Sequence, residues 1–145
     1  FLMDSHAGFF DKSQNLWYRK TSASLPKTTR ELAFFHIPFP EYVETWDYTA
    51  CKGFCLETIC DTELNDGLFA SMYYSGKMKG VFVGHDHIND FRMNVDGIDL
   101  YQTIGAGYFT YGAEHGGRLI VIDESNIREI ETQTIEIPRI TTTEF

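Results

Sequence analysis

Two short apolar runs constrain the fold of this chain more than any other feature. Glu31-Leu32-Ala33-Phe34-Phe35-His36 is bounded by prolines, and Lys79-Gly80-Val81-Phe82-Val83-Gly84 is rich in β-branched and aromatic residues. Both patterns are those of buried strands. Pro38 and Pro40 lack the backbone donors that a ladder needs, so the chain leaves the sheet just after His36. Each run therefore delivers histidine at a strand's C-terminal end: His36 from the first, His85 and His87 from the second.

The surrounding chain reads as helices interleaved with strands, then a run of strands. Phe1-Leu2-Met3 has the look of a buried strand already under way. Asp11 and Gln14 have capping-box spacing ahead of a helix over about 13–23, which Leu25-Pro26-Lys27 breaks. Residues 41–65, with Trp46, Tyr48 and all three cysteines, are expected as a long irregular loop, of the kind that is usually functional or partly structured. Leu68, Phe69, Met72 and Tyr73 recur at helical spacing over about 66–74, with Gly76 as the stop. Asp96-Gly97 predicts a type I′ hairpin, because this pair accepts positive φ. Beyond it, Gly105-Ala106-Gly107-Tyr108 predicts a glycine-rich turn, 119–122 another buried strand and 127–137 an edge strand. No internal repeat appears.

A chain of 145 residues can bury one core, and its 43% hydrophobic and 15% aromatic content is that of a globular domain. No apolar run approaches the roughly 20 residues of a membrane helix, so no membrane partner is expected. The start, Phe1-Leu2-Met3-Asp4, reads as that of a fragment. The net charge of -9 argues against a nucleic-acid surface, which needs clustered Lys and Arg. It does not argue against a phosphate substrate, because two bound divalent cations would invert the local potential. Cys51, Cys55 and Cys60 allow one disulfide and a free thiol, or three free thiols. A zinc knuckle would need a fourth ligand, and no His lies between His36 and His85, so a structural or disulfide role is expected.

Gly84-His85-Asp86-His87 carries the chemistry. In an extended segment, side chains two apart share a side, so both imidazoles can face one site while Asp86 points away. Neutral imidazole is the commonest protein ligand for transition metals, and its second ring nitrogen is usually fixed by an acceptor, here Asp86 or Asp90. Gly84 lets the backbone turn sharply and approach a ligand. A single strand-end histidine is more often structural; two strands converging on one sheet end favour a site. Gly107, Tyr108 and Tyr111 are candidates for the substrate mouth, set against a plain hairpin turn. No strand-to-helix transition follows Gly105-Ala106-Gly107, so it is not a phosphate loop. His115 reads as a surface turn residue, and Trp46 and Tyr48 as site cover or core.

Phe35-His36-Ile37-Pro38-Phe39-Pro40-Glu41-Tyr42, Gly67-Leu68-Phe69, Gly80 to Phe91 and Gln14-Asn15-Leu16-Trp17 together, in this order and spacing, resemble the calcineurin-like metallophosphoesterases, in particular the purple-acid-phosphatase-like branch. The resemblance implies an α/β (α+β) fold: the C-terminal half of a four-layer sandwich, with mixed β-sheets flanked by helices. It implies that residues 1–145 are the C-terminal part of one domain. It also implies that His36 and His85 bind the second metal and His87 the first. The family's other ligands, its bridging Asp and its proton-donor His come from the earlier motifs D-x-H, G-D-x-x-[DY] and G-N-H-[DE], which this sequence lacks. Asp4-Ser5-His6 is not a substitute, because it resembles the strand after the third motif, and His6 reads as solvent-facing or structural.

The expected activity is phosphate-ester hydrolysis at a two-metal site of a full-length parent, on a monoester, diester or phosphoprotein, with this stretch inactive alone. Iron, zinc and manganese all suit such ligands. The rival reading is a non-catalytic metal- or partner-binding module of the same fold. Clustered cysteines and the family branch lean towards an extracytosolic compartment. Oligomeric state is not readable from the sequence.

Overall fold

The computed structural model describes residues 1–6, 8–47, 49–62, 64–126 and 129–138. Five strands form one mixed sheet: β1 (Glu31–Phe34), β2 (Lys52–Cys55), β3 (Met78–Val83), β4 (Asn89–Val95) and β5 (Ile98–Gln102), in the order β1-β3-β5-β4-β2. The pairs β1–β3 and β3–β5 are parallel, whereas β4 runs antiparallel to β5 and β2 antiparallel to β4. Two further strands, β6 (Gly116–Ile122) and β7 (Ile130–Glu136), form a separate antiparallel ribbon. Helices α1 (Lys12–Ser24), α2 (Glu41–Glu44) and α3 (Leu68–Ser75) complete the mixed α/β arrangement. A mixed sheet flanked by helices is the architecture the family resemblance implies.

Local chemistry explains several elements. Asp11 accepts from Ser13 N at 2.7 Å and Gln14 N at 2.9 Å while Gln14 Oε1 accepts from Asp11 N at 3.1 Å, so the capping box is complete. Asp96 (φ 49) and Gly97 (φ 84) supply the two positive φ values of the hairpin joining β4 to β5. Gly76 closes α3 in the left-handed region at φ 67.

The core lies between the sheet and the helices, where Tyr18, Leu68 and Met72 gather with Phe35, Val81, Val83, Phe91 and Leu100. Fully buried Tyr42 of α2 donates its hydroxyl towards Val81 O at 3.1 Å and Tyr101 O at 3.2 Å, which pins the chain after His36 against the middle of the sheet. Phe34, Phe82 and Tyr101 stack in a row, ring centroids 5.0 and 4.5 Å apart. Arg118 of β6 ties the ribbon to the sheet through buried Asp90, Gln102 O and Thr103 Oγ1.

Three expectations are corrected. The stretch 41–65 is not irregular throughout: it contains α2 and the edge strand β2. β2 forms because Gly53, at φ 116, brings its backbone so close to β4 that a Cβ there would lie 2.1 Å from Asp90 O. Phe1–Met3 is a single parallel bridge from Leu2 to Phe34, with Leu2 81% exposed, rather than a buried strand. Leu119 and Val121 are about half-exposed, because β6 pairs only with β7 instead of entering the central sheet. The last strand begins at Ile130; Ile127 and Arg128 of the expected edge strand lie outside the described residues, as does Tyr48.

Candidate metal centre

Parallel pairing puts the C-terminal ends of β1, β3 and β5 at one end of the sheet, the end where α/β sheets collect ligands. The ladder continues past the strands: Phe35 N donates to Phe82 O at 3.2 Å, Gly84 N to His36 O at 3.1 Å, Thr103 N to Val83 O at 3.1 Å and Gly105 N to His87 O at 3.0 Å. His36 and the Gly84–His87 segment are therefore neighbours by backbone hydrogen bonding. Their rings meet: His36 Nε2 lies 3.2 Å from His85 Nδ1, with the rings 5.0 Å apart and nearly perpendicular.

The expected extended geometry gives way to a turn here. Asp86 N donates to Gly84 O at 3.0 Å and His85 adopts φ 76, the hydrogen bond and dihedral of a γ-turn. The turning residue is thus His85 rather than Gly84. A non-glycine residue held there costs on the order of 1–3 kcal/mol, and such strain concentrates at functional sites. A Cβ on Gly84 would meet His36 Nδ1 at 3.5 Å, an ordinary van der Waals contact, so no close approach demands glycine there. Buried Gln102 holds the turn through hydrogen bonds from Nε2 to Gly84 O and, at 3.4 Å, to Asp86 O.

Partial burial lowers the pKa of His36, and the positive charge that His85 and His87 would carry lowers it further. Neutral imidazole is the form that ligates metal. His87 Nδ1 is buried and has no hydrogen-bond partner among the described residues. Tyr111 stacks on this ring, centroids 4.5 Å apart and planes at 21°. Of the other candidates for the substrate mouth, Gly107 packs against Thr110, and the exposed Tyr108 ring lies 6.1 Å from that of His115.

The two aspartates hydrogen-bond away from the rings. Asp86 is buried and accepts from Cys60 N at 3.2 and 3.3 Å; burial pushes its pKa up to about 6, against the pull of that N–H and of His85. Asp90 pairs with Arg118 and Thr134 in the ribbon. They anchor the cysteine loop and the ribbon. Cys51, Cys55 and Cys60 are all free thiols. His115, expected at the surface, is 3% exposed, because it stands where Gly116 N closes back on Gly105 O at 3.0 Å and Ile137 N donates to His115 O at 2.7 Å. His6 is exposed beside Asp4 and Asp11, far along the chain from the three-histidine cluster and unconnected to it by any hydrogen bond among the described residues. Sequence reading missed Glu57, whose Oε1 accepts from Ile88 N at 3.0 Å and Oε2 from Tyr111 Oη at 2.8 Å; no local pattern marks contacts spanning 31 and 54 residues.

Among the described residues, no group of three or more His, Cys, Asp or Glu side chains forms a metal-binding set on its own. The chain is 34% identical over 128 residues to "Probable inactive purple acid phosphatase 14" of Arabidopsis thaliana, a match covering 81% of this chain and 32% of that protein. It is 34% identical over 131 residues to "Probable inactive purple acid phosphatase 29" of the same plant, covering 81% and 34%. A third relative, "Probable inactive purple acid phosphatase 28", is 31% identical over 125 residues, covering 83% and 31%. The chain is purple-acid-phosphatase-like. It spans about a third of the length of these curated relatives. No family model matches it, and no solved structure does. No described helix is long and apolar enough to cross a membrane.

Proposed function

We propose that residues 1–145 form the C-terminal part of a metallophosphoesterase domain and contribute three imidazoles to a two-metal site that hydrolyses phosphate esters in the full-length parent. The observation that carries this reading is the 3.2 Å separation of His36 Nε2 and His85 Nδ1. Two nitrogens each about 2.0–2.1 Å from one cation lie about 2.8–3.4 Å apart across octahedral and tetrahedral geometry. The same spacing suits an N–H···N hydrogen bond between neutral rings when no cation is held. His87, from the same segment as His85, is assigned to the first ion. The donor set fits iron, zinc or manganese. When bound, two such ions supply a nucleophile at neutral pH and charge compensation for an in-line displacement at phosphorus. His36, His85 and His87 hold and orient that charge at one end of the sheet; the remaining ligands and the proton donor are assigned to the rest of the parent.

A second reading, a non-catalytic module of the same fold, draws on the words "probable inactive" in the names of the three relatives. Turnover separates the two. The parent, loaded with zinc, manganese or iron, is assayed on p-nitrophenyl phosphate beside His87→Ala: hydrolysis that the substitution abolishes supports the enzyme, and hydrolysis that it leaves unchanged removes His87 from the site. Metal binding without hydrolysis points to the module. An extracytosolic compartment and a phosphate-ester substrate of unspecified class complete the proposal.

A further inference from the structure

Ligating histidines are ordinarily aimed by a hydrogen bond from the second ring nitrogen to an acceptor. His87 has none: Nδ1 is buried and unpartnered, and its side chain makes no hydrogen bond among the described residues. Something else must hold the ring. Tyr111 is stacked over it, centroids 4.5 Å apart and planes 21° from parallel. Tyr111 is in turn tethered, because its hydroxyl donates to Glu57 Oε2 at 2.8 Å while Glu57 Oε1 accepts from Ile88 N, one residue past His87, at 3.0 Å. Behind the ring, a Cβ on Gly105 would lie 3.2 Å from His87 Cβ, and one on Gly112 would lie 2.8 Å from Ile88 Cγ2. Gly105 and Gly112 thus pack closely on the side chains of His87 and Ile88.

We propose that Tyr111, fixed by Glu57, is the positioning residue for His87: a stacking clamp in place of the usual hydrogen-bonded acceptor. The inference rests on the reading that His87 holds a metal. Its energetic logic is pre-organisation. A ring free to swing must be ordered when the ion binds, whereas a clamped ring is ordered beforehand. Stacking also favours the metal-bound ring, which carries more positive charge than the free imidazole, over the tyrosine π face. Because Tyr111 is 55% exposed and caps a surface loop, truncating it leaves the core intact.

The test uses the full-length protein and Co2+ as probe, read by titration and by the intensity of the ligand-field spectrum. His87→Ala, Tyr111→Ala, Tyr111→Phe and Glu57→Gln are compared, with thermal midpoints recorded for each. Support takes this form: His87→Ala removes the ion assigned to it; Tyr111→Ala weakens that ion by 10-fold or more, in the range of about 10–100-fold known for outer partners of ligands. Tyr111→Phe, which keeps the stack and loses the tether, falls between Tyr111→Ala and wild type, and the midpoints do not move. Wild-type Co2+ affinity in Tyr111→Ala, with binding lost in His87→Ala, overturns the clamp alone. Wild-type affinity in His87→Ala overturns the metal assignment and the clamp with it. A lowered midpoint in Tyr111→Ala that tracks its affinity loss, without rescue by Tyr111→Phe, assigns Tyr111 a structural role and also overturns the clamp.

Discussion

Replacing Gly53 by alanine tests how the cysteine loop is fastened to the sheet. At φ 116, an L side chain is strained whatever space surrounds it, a cost of about 1–3 kcal/mol. The collision adds to this. The new Cβ would sit 2.1 Å from Asp90 O and 2.8 Å from Phe91 Cα, both backbone atoms that cannot swing aside. Relief requires β2 to part from β4, loosening ladder hydrogen bonds worth about 1 kcal/mol each. The expected loss is therefore about 3–5 kcal/mol, and the midpoint of thermal unfolding falls by on the order of 10 °C. Gly97→Ala is the control: its φ of 84 is also positive, but nothing lies within 4 Å of the added atom, so only the conformational cost of about 1 kcal/mol appears. Differential scanning calorimetry of both variants in the full-length protein reads the difference. Equal midpoints for the two would refute the claim that close approach, rather than turn conformation, is what β2 demands of its glycine.

Three further outcomes follow from the structure. Asp11→Ala removes both cap hydrogen bonds and lowers the midpoint of denaturant titration. Asp11 is held below its ordinary pKa of 3.8 by the Ser13 hydroxyl and the Gln14 N–H, so its contribution is present above about pH 4 and fades as pH falls through the folded-state value; the variant and wild type should converge there. Asp90→Ala leaves Arg118 buried without its counter-ion and costs about 3–5 kcal/mol, loosening the ribbon, which hydrogen exchange in β6 and β7 would show. His85→Ala should lower metal stoichiometry as much as His36→Ala, and the double variant no further, as equilibrium dialysis with Zn2+ would measure.

What could be read from the sequence follows the range of the interactions. The Asp11 cap, the Asp96-Gly97 turn and the two apolar strands ending in histidine are set by neighbours a few residues apart, and all formed as expected. β2 was invisible because Lys52-Gly53-Phe54-Cys55 has no alternating pattern and gains strand geometry only from β4, almost forty positions later. His115 looked like a turn residue by composition, yet the closure of Gly116 onto Gly105 buries it. The γ-turn at His85 contradicts local preference and is held by Gln102 from β5, a contact that no short window contains.

The nearness of the His36 and His85 rings follows from a dimension common to all sheets. Adjacent strands stand about 4.8 Å apart, and these two side chains spring from segments just past the ends of two such neighbours, where His36 faces Gly84 and His85 follows it in the turn. The sheet thus works as a fixed gauge that loop substitutions leave untouched so long as β1 and β3 stay paired.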